Sequence, residues 1–423
     1  MTQRHKNYFI YTFFVIFIFG NIFMNDQAHA RTYTAEEMSA NPERLNGMTV
    51  TGDRLDNVVF KDVTLKNVTF KNIRLSKFTF TNVVFDNCKF IDICFYRGEL
   101  NNVLFQGGLF AKRSKDIAAD ELIETSRIMN VVFDATVFDN AYFTGLRQGS
   151  LFLQNIHTTQ NYSGPGGIFR GKDIFVAIRK CSIKGVKIVQ TSGNSKIYAK
   201  DSFFDDSGFA RTSTATYVDN CSFIGASDPG DSNTLVFINS RLLAWVETEG
   251  DVYFYNNTFL VKDGPPRLQT GVQGSDKSRI YVLSDKRAVA PINFVNGNIF
   301  LRNLDWVHPV MVPWEGQEYI KRVDLQNVAI RDGGLWEKLH LLSGQWENVQ
   351  IYPAIDIADA KIENVEGYNV TFPEGVPWIG TPASNTSIRM RNKPFDWPEI
   401  KVPTLKDLGM EWEWPVITGK PLP

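Results

Sequence analysis

The stretch Phe60-Lys-Asp-Val-Thr-Leu65-Lys-Asn-Val-Thr-Phe70-Lys-Asn-Ile-Arg-Leu75-Ser-Lys-Phe-Thr-Phe80 decides the fold of this 423-residue chain. Val, Leu or Phe stands at every fifth position from Val50 to Phe110. Helical faces repeat at about 3.6 residues and strand faces at 2, so a sustained five requires a path that turns a corner once per repeat. Four corners close a square coil of about 20 residues, whose apolar columns stack on the coils above and below.

A second apolar column stands two residues before the first, at Val58, Val63, Val68, Ile73, Phe78 and Val83, the same inward face at strand alternation. Two residues after the first column come Asp62, Asn67, Asn72, Asn82, Asn87, Asp92 and Asn102. Asn and Asp tolerate the left-handed backbone region and bond locally, so these positions mark the corners. On these columns the segment 45–110 resembles the pentapeptide-repeat family, a quadrilateral β-helix. It departs in using Val and Ile where that family has small residues, and in the position of its Asn.

Residues 1–30 read as a secretory signal, with Arg4 and Lys6 ahead of an apolar run and Ala28-His29-Ala30 as the cleavage site. Cleavage removes Arg4, Lys6 and Asp26 and changes the net charge from -1 to -2. The expected location is periplasmic or secreted, with no membrane span in the mature chain. Near-neutral charge without a basic face argues against nucleic acid as a partner. Thr34-Ala-Glu-Glu37 forms a capping box on a short helix, so 31–44 reads as an N-terminal cap. The rhythm stops after Phe110 and returns at Phe133, Phe138 and Phe143, which predicts a helical insertion over 111–130 that loops out without ending the coil.

Beyond Gly145 six segments share one pattern, with two apolar residues five apart and a polar residue, usually Asn, two after the first. They are 178–183, 198–203, 218–223, 237–242, 254–259 and 294–299. On these segments, residues 131–372 resemble a right-handed parallel β-helix of the pectate-lyase type, with a corner Asn ladder. The resemblance implies an all-β solenoid and leaves activity open, because that fold hosts lyases, hydrolases, epimerases and inert scaffolds. Residues 373–423, rich in Pro and Trp, read as a cap or tail along the last coils that protects an open edge.

Cys181 and Cys221 align two coils apart with Asp201 between them, roughly 9.6 Å at ~4.8 Å per coil, too far for a disulfide. Only His157, His308 and His340 follow the signal, without paired spacing, so no metal site and no cofactor are expected; calcium, which needs only oxygens, stays open. Lys180, Lys200, Asp205 and Asp206, close together in the stacked alignment, are the candidates for acid–base chemistry on a polysaccharide. An ordinary corner is the simpler account of them. Eight of nine Trp lie between Trp306 and Trp414. Trp306 and Trp314, with Arg179, are the ligand-binding candidates, because exposed rings stack on sugars, whereas Trp346 takes an inward position. The expected function is an exported, non-catalytic scaffold or binding protein for an envelope or extracellular polysaccharide or a protein partner. The alternative is a polysaccharide lyase, glycoside hydrolase or epimerase.

Overall fold

A computed structural model describes residues 30–112, 123–124, 127–139, 141, 143–158, 168–210, 214–227, 232–262, 268–311, 319–331, 336, 339–352, 355–372, 375, 378–380, 382 and 387–420. The signal segment and the cleavage site at 28–30 therefore fall almost wholly outside the described residues. The chain forms a parallel β-solenoid of about 15 turns with roughly 20 residues per turn. Among the described residues no helix is long and apolar enough to cross a membrane.

In the first coils each residue pairs with the one 20 positions on: Phe60 with Phe80, Val63 with Val83, Phe85 with Phe105. The fifth-position residues point inward and stack ring on ring, Phe60 on Phe80 at 4.9 Å and 14°, Phe85 on Phe105 at 5.0 Å and 6°. Asp62, Asn67, Asn72, Asn82, Asn87, Asp92 and Asn102 all have φ between 51° and 55°, so each predicted corner is a left-handed residue. Side chains give back part of that conformational cost by bonding between coils. Asn82 donates to Asp62 at 2.8 Å, Asn102 to Asn82 at 3.1 Å and Asn130 to Asn102 at 2.9 Å. Below the first coil lies the helix Ala35–Ala40, closed by the Thr34–Glu37 capping box, with Met38 fully buried.

The helical insertion expected over 111–130 needs correction where it is described. Ile123–Glu124 is a strand paired with Phe95–Tyr96, and Arg127–Asp134 is a strand between 99–106 and 149–154. Ile128 is apolar because it stacks under Leu100 in the core, not because it lines a helix. Residues 113–122 lie outside the described residues. The coil does continue across the interruption.

Further on, the corner ladder persists: Asn220 donates to Asp201, Asn327 to Asn303, Asn348 to Asn327 and Asn369 to Asn348, at 2.7 to 3.1 Å. Two of the six aligned segments are misplaced. Ile178 pairs with Ala199 and Ile183 with Phe204, so the second segment is 199–204, one residue later than expected. That slip reverses its faces: Phe204 is buried and Phe203 is 38% exposed. The segment 294–299 belongs to two other faces, with Phe294 paired to Val272 and Ile299 to Ile280, and the corner of that coil is Asn303. Ser202, not Asp201, stands between Cys181 and Cys221. Its hydroxyl accepts from Cys181 N at 3.1 Å, and the four cysteines are buried and form no disulfide.

The coils after 290 are filled by tryptophan. Trp306, Trp336 and Trp346 are fully buried, and with Trp378 their rings lie 5.9 to 6.2 Å apart. Trp306 donates to Ile292 O at 2.8 Å and Trp346 to Val323 O at 3.2 Å, which satisfies the only polar atom of each ring.

One outward column runs the length of the rod. In register it reads Thr64, Val84, Leu104, Val132, Phe152, Ala177, Tyr198, Tyr217, Val236, Tyr253, Tyr281, Phe300 and Asp324. An outward apolar stripe needs a cover, and the C-terminal segment supplies it. After the strand Ile388–Met390 the chain turns back along the rod. Phe395 N donates to Glu347 at 2.8 Å, Trp397 packs on Phe300, and the Lys196 ammonium holds the carbonyls of Leu408 and Gly409. Met410 is buried, Trp412 stacks on Phe175 at 4.0 Å, and Trp414 meets Phe152 at 5.1 Å. Gly419 reaches the coil of Thr64 so closely that a Cβ there would lie 2.4 Å from Thr64 Oγ1. The segment is thus a strap from the last coils back to the first, more than the local cap expected over 373–423.

Candidate ligand-binding trench

Between the strap and the strand row lies a trench of about 810 Å³, lined by two adjacent columns and one wall. The inner column is Tyr253, Tyr281, Phe300 and Asp324; the outer is Arg279, Asn298 and Arg322, with Asp251 continuing that column beyond the lining. Strand alternation sends both columns to the same outer face, two residues apart on each coil, while Val252, Ile280, Ile299 and Val323 between them point into the core. Strap residues Trp397 to Lys401 form the wall, and Lys277 and Lys321 stand at the rim.

Several polar groups in this trench are held in place by a neighbour, while the buried Trp397 Nε1 in the wall has no hydrogen-bond partner among the described residues. Arg279 engages Asp251 through two bonds, with Nε donating to Oδ1 at 2.8 Å, and the carboxylate raises the guanidinium pKa further. Arg322 Nε donates to Asp324 Oδ2 at 2.6 Å, and Asp324 Oδ1 accepts from Gln345 N at 2.9 Å. Burial nonetheless raises the Asp324 carboxyl above its ordinary value, with Arg322 opposing the shift. Tyr253 and Tyr281 stack at 4.8 Å and 14°, so their ring faces cover each other, with the Tyr253 side chain hydrogen-bonded to Asp251 and that of Tyr281 to Arg279. Burial, helped by Asp251, pushes the Tyr253 phenol up to about 12. The lining is a row of fixed hydrogen-bonding groups at coil spacing, floored by aromatic carbon.

The residues singled out from the sequence fall elsewhere. Trp306 is a core residue, which corrects its assignment as a ligand platform. Trp314 lies outside the described residues. Arg179 holds the strap: its guanidinium sits 3.7 Å from the Trp414 ring centroid and its Nε donates to Gln154 at 2.5 Å. Lys180 and Lys200 do not share a column. Lys180 is a left-handed corner with φ 52°, aligned with Asp201 and Asn220, whereas Lys200 ends a strand and pairs with Asp219 at 3.4 Å. Asp205 pairs with Lys184 at 3.1 Å, and Asp206 is another corner, with φ 46°. These four are ion pairs and corners on successive coils and do not converge on one cleft. Among the described residues no group of three or more His, Cys, Asp or Glu is placed to hold a metal ion.

The trench residues had a signal in the sequence. Tyr253-Phe254-Tyr255 and Arg279-Ile280-Tyr281-Val282 alternate outward polar or aromatic residues with inward apolar ones. What the sequence conceals is that Tyr253 and Tyr281, 28 positions apart, are neighbours. A scan against protein-family models finds no match for this chain, and a search of curated proteins finds none either.

Proposed function

We propose that this solenoid is an exported, non-catalytic binding protein that holds an extended polysaccharide of the envelope or extracellular space in the strap-walled trench. The observation that carries this reading is the paired columns Arg279–Asn298–Arg322 and Tyr253–Tyr281–Phe300–Asp324. They offer fixed donors and acceptors at ~4.8 Å per coil, about the length of one sugar ring. An extended peptide advances about 6.6 Å for every two residues, so it falls out of step with the coils, which favours a glycan over a protein strand. Fixed groups cost little ordering entropy on binding. The pentapeptide-like start and the pectate-lyase-like continuation suit a rod with one long working face.

The enzymatic alternative has one observation in its favour. Asp324, a carboxyl with raised pKa in a cleft, has the character of a general acid. Its two oxygens, however, are engaged by Arg322 and Gln345 N. A polysaccharide panel assayed for retention and for new reducing or unsaturated ends separates the readings. Retention without new ends, lost in Tyr281→Ala and Arg322→Ala but kept in Lys180→Ala/Lys200→Ala, is the expected result. New chain ends that vanish in Asp324→Asn would replace the binding reading with a hydrolase or lyase, and retention unchanged in both trench variants would remove the trench.

A further inference from the structure

We infer that the outer face of the strand Arg241–Glu247 carries a second site, separate from the trench, for an organic ammonium ion, fitted to the amino group of an amino-sugar unit. Trp245 is 42% exposed on this face. Its six-membered ring lies over Gly271, its paired neighbour on the next coil; a Cβ on Gly271 would stand 2.4 Å from Cε3 and Cζ3, so glycine is what leaves the ring its place. The indole Nε1 donates to Glu247 Oε1 at 3.1 Å. That bond uses the only donor of the ring and fixes a carboxylate beside it.

The rest of the patch is also made of acceptors. Glu249 follows two residues on and is exposed. Gln273 pairs with Glu247 across the coil step; its Oε1 is buried without a hydrogen-bond partner among the described residues, so it adds to the local negative field without being open to the ligand. The amide of Gln269 is already spent on Asn293 and the His308 carbonyl. Register neighbours Gly271, Gln273 and Asn293 bring no positive charge. A π surface and exposed carboxylates together select a cation, because the ring quadrupole and the carboxylate oxygens favour positive charge. An acidic sugar meets repulsion from Glu247 and Glu249, and a neutral sugar finds few donors for its own oxygens. Among organic cations we commit to an amino sugar, whose ring can lie against the flat sheet while its ammonium sits at Trp245.

The test titrates the full chain with glucosamine and its β-linked oligomers, with the N-acetylated counterparts, and with a lysine peptide, read by saturation-transfer NMR. Free-amine sugars should bind weakly, in the millimolar range, and lose about tenfold in Trp245→Ala and in Glu247→Gln. Binding should fade as pH rises through the pKa of the sugar amine. Gly271→Ala keeps the indole but displaces it, and should weaken binding as much. Arg322→Ala in the trench should leave this binding unchanged, so failure of the trench and failure of this site give different results. Equal binding of the N-acetylated sugars, or no change in Trp245→Ala, would overturn the site. Binding of the lysine peptide alone would overturn the amino-sugar assignment and mark a protein contact.

Discussion

The coils from 50 to 110 and those from 232 to 331 solve the same packing problem in opposite ways. In the first region every step is 20 residues, every corner from Asn57 on is left-handed, and the Phe rings stack within 14° of parallel. In the second, residues paired along the outer column are 17, 28, 19 and 24 positions apart. Strict repetition gives each residue the same environment as its neighbour above, so it selects the same side chain and leaves a uniform surface. Variable turns break that equivalence. The trench and the Trp245 patch both lie where the step length varies.

The largest expected effect tests the regular region. Phe80→Asp places a charge among Phe60, Phe78, Phe85 and Phe95, whose rings surround it at 4.9 to 6.4 Å. Stability should fall by about 4 kcal/mol or more, and a thermal melt that matches the unsubstituted protein would break the stacked-coil account.

The strap is the element that joins the two regions, and weakening it should cost less. Trp412→Ala/Trp414→Ala removes its contacts with Phe175 and Phe152. A loss of about 2 kcal/mol is expected, because both rings remain partly exposed. Hydrogen exchange or limited proteolysis should then report faster opening of 395–420 while the inward columns stay protected. Protection of the strap that survives the double substitution would mean that its remaining contacts, at Glu347, Phe300, Lys196 and Met410, suffice to hold it.

Ladder corners sharpen the comparison further, since they occur in both regions. Asn327→Ala deletes a bond donated to Asn303 and one accepted from Asn348, and leaves a Cβ residue at φ 55°. It should cost about 1–2 kcal/mol in chemical denaturation, and Asn102→Ala in the regular coils about the same. A much larger loss at Asn102 would show that repetition makes corners cooperative.

The smallest effect concerns the thiols. Burial pushes Cys88, Cys181 and Cys221 each up to about 12. A raised thiol pKa means that thiolate is scarce throughout the neutral and mildly alkaline range. A thiol reagent should therefore leave all three unlabelled in the folded protein and label them after unfolding without reductant. Rapid labelling of Cys88 alone would show that the regular coils open more readily than the later ones.

By itself the sequence determined what repeats. A five-residue apolar period, Asn at a fixed offset and a capping box define coil size, corner positions and the closed first turn, because each depends on residues near one another in the chain. Face assignment within regular coils follows from the same spacing. Where the steps vary, spacing alone does not fix the face: the pairing of Ile178 with Ala199 sends Phe203 outward and Phe204 inward, and Trp306 is a core ring whose indole bonds Ile292 O. Only the tertiary structure decided which distant residues became neighbours. Tyr253 meets Tyr281 and Trp245 meets Gly271 because turns of unequal length still close onto coils ~4.8 Å apart. The strap is decided there too. Nothing local to Trp412 and Trp414 points to Phe175 and Phe152, and their contact exists because an outward apolar column needs a cover that the returning chain end provides.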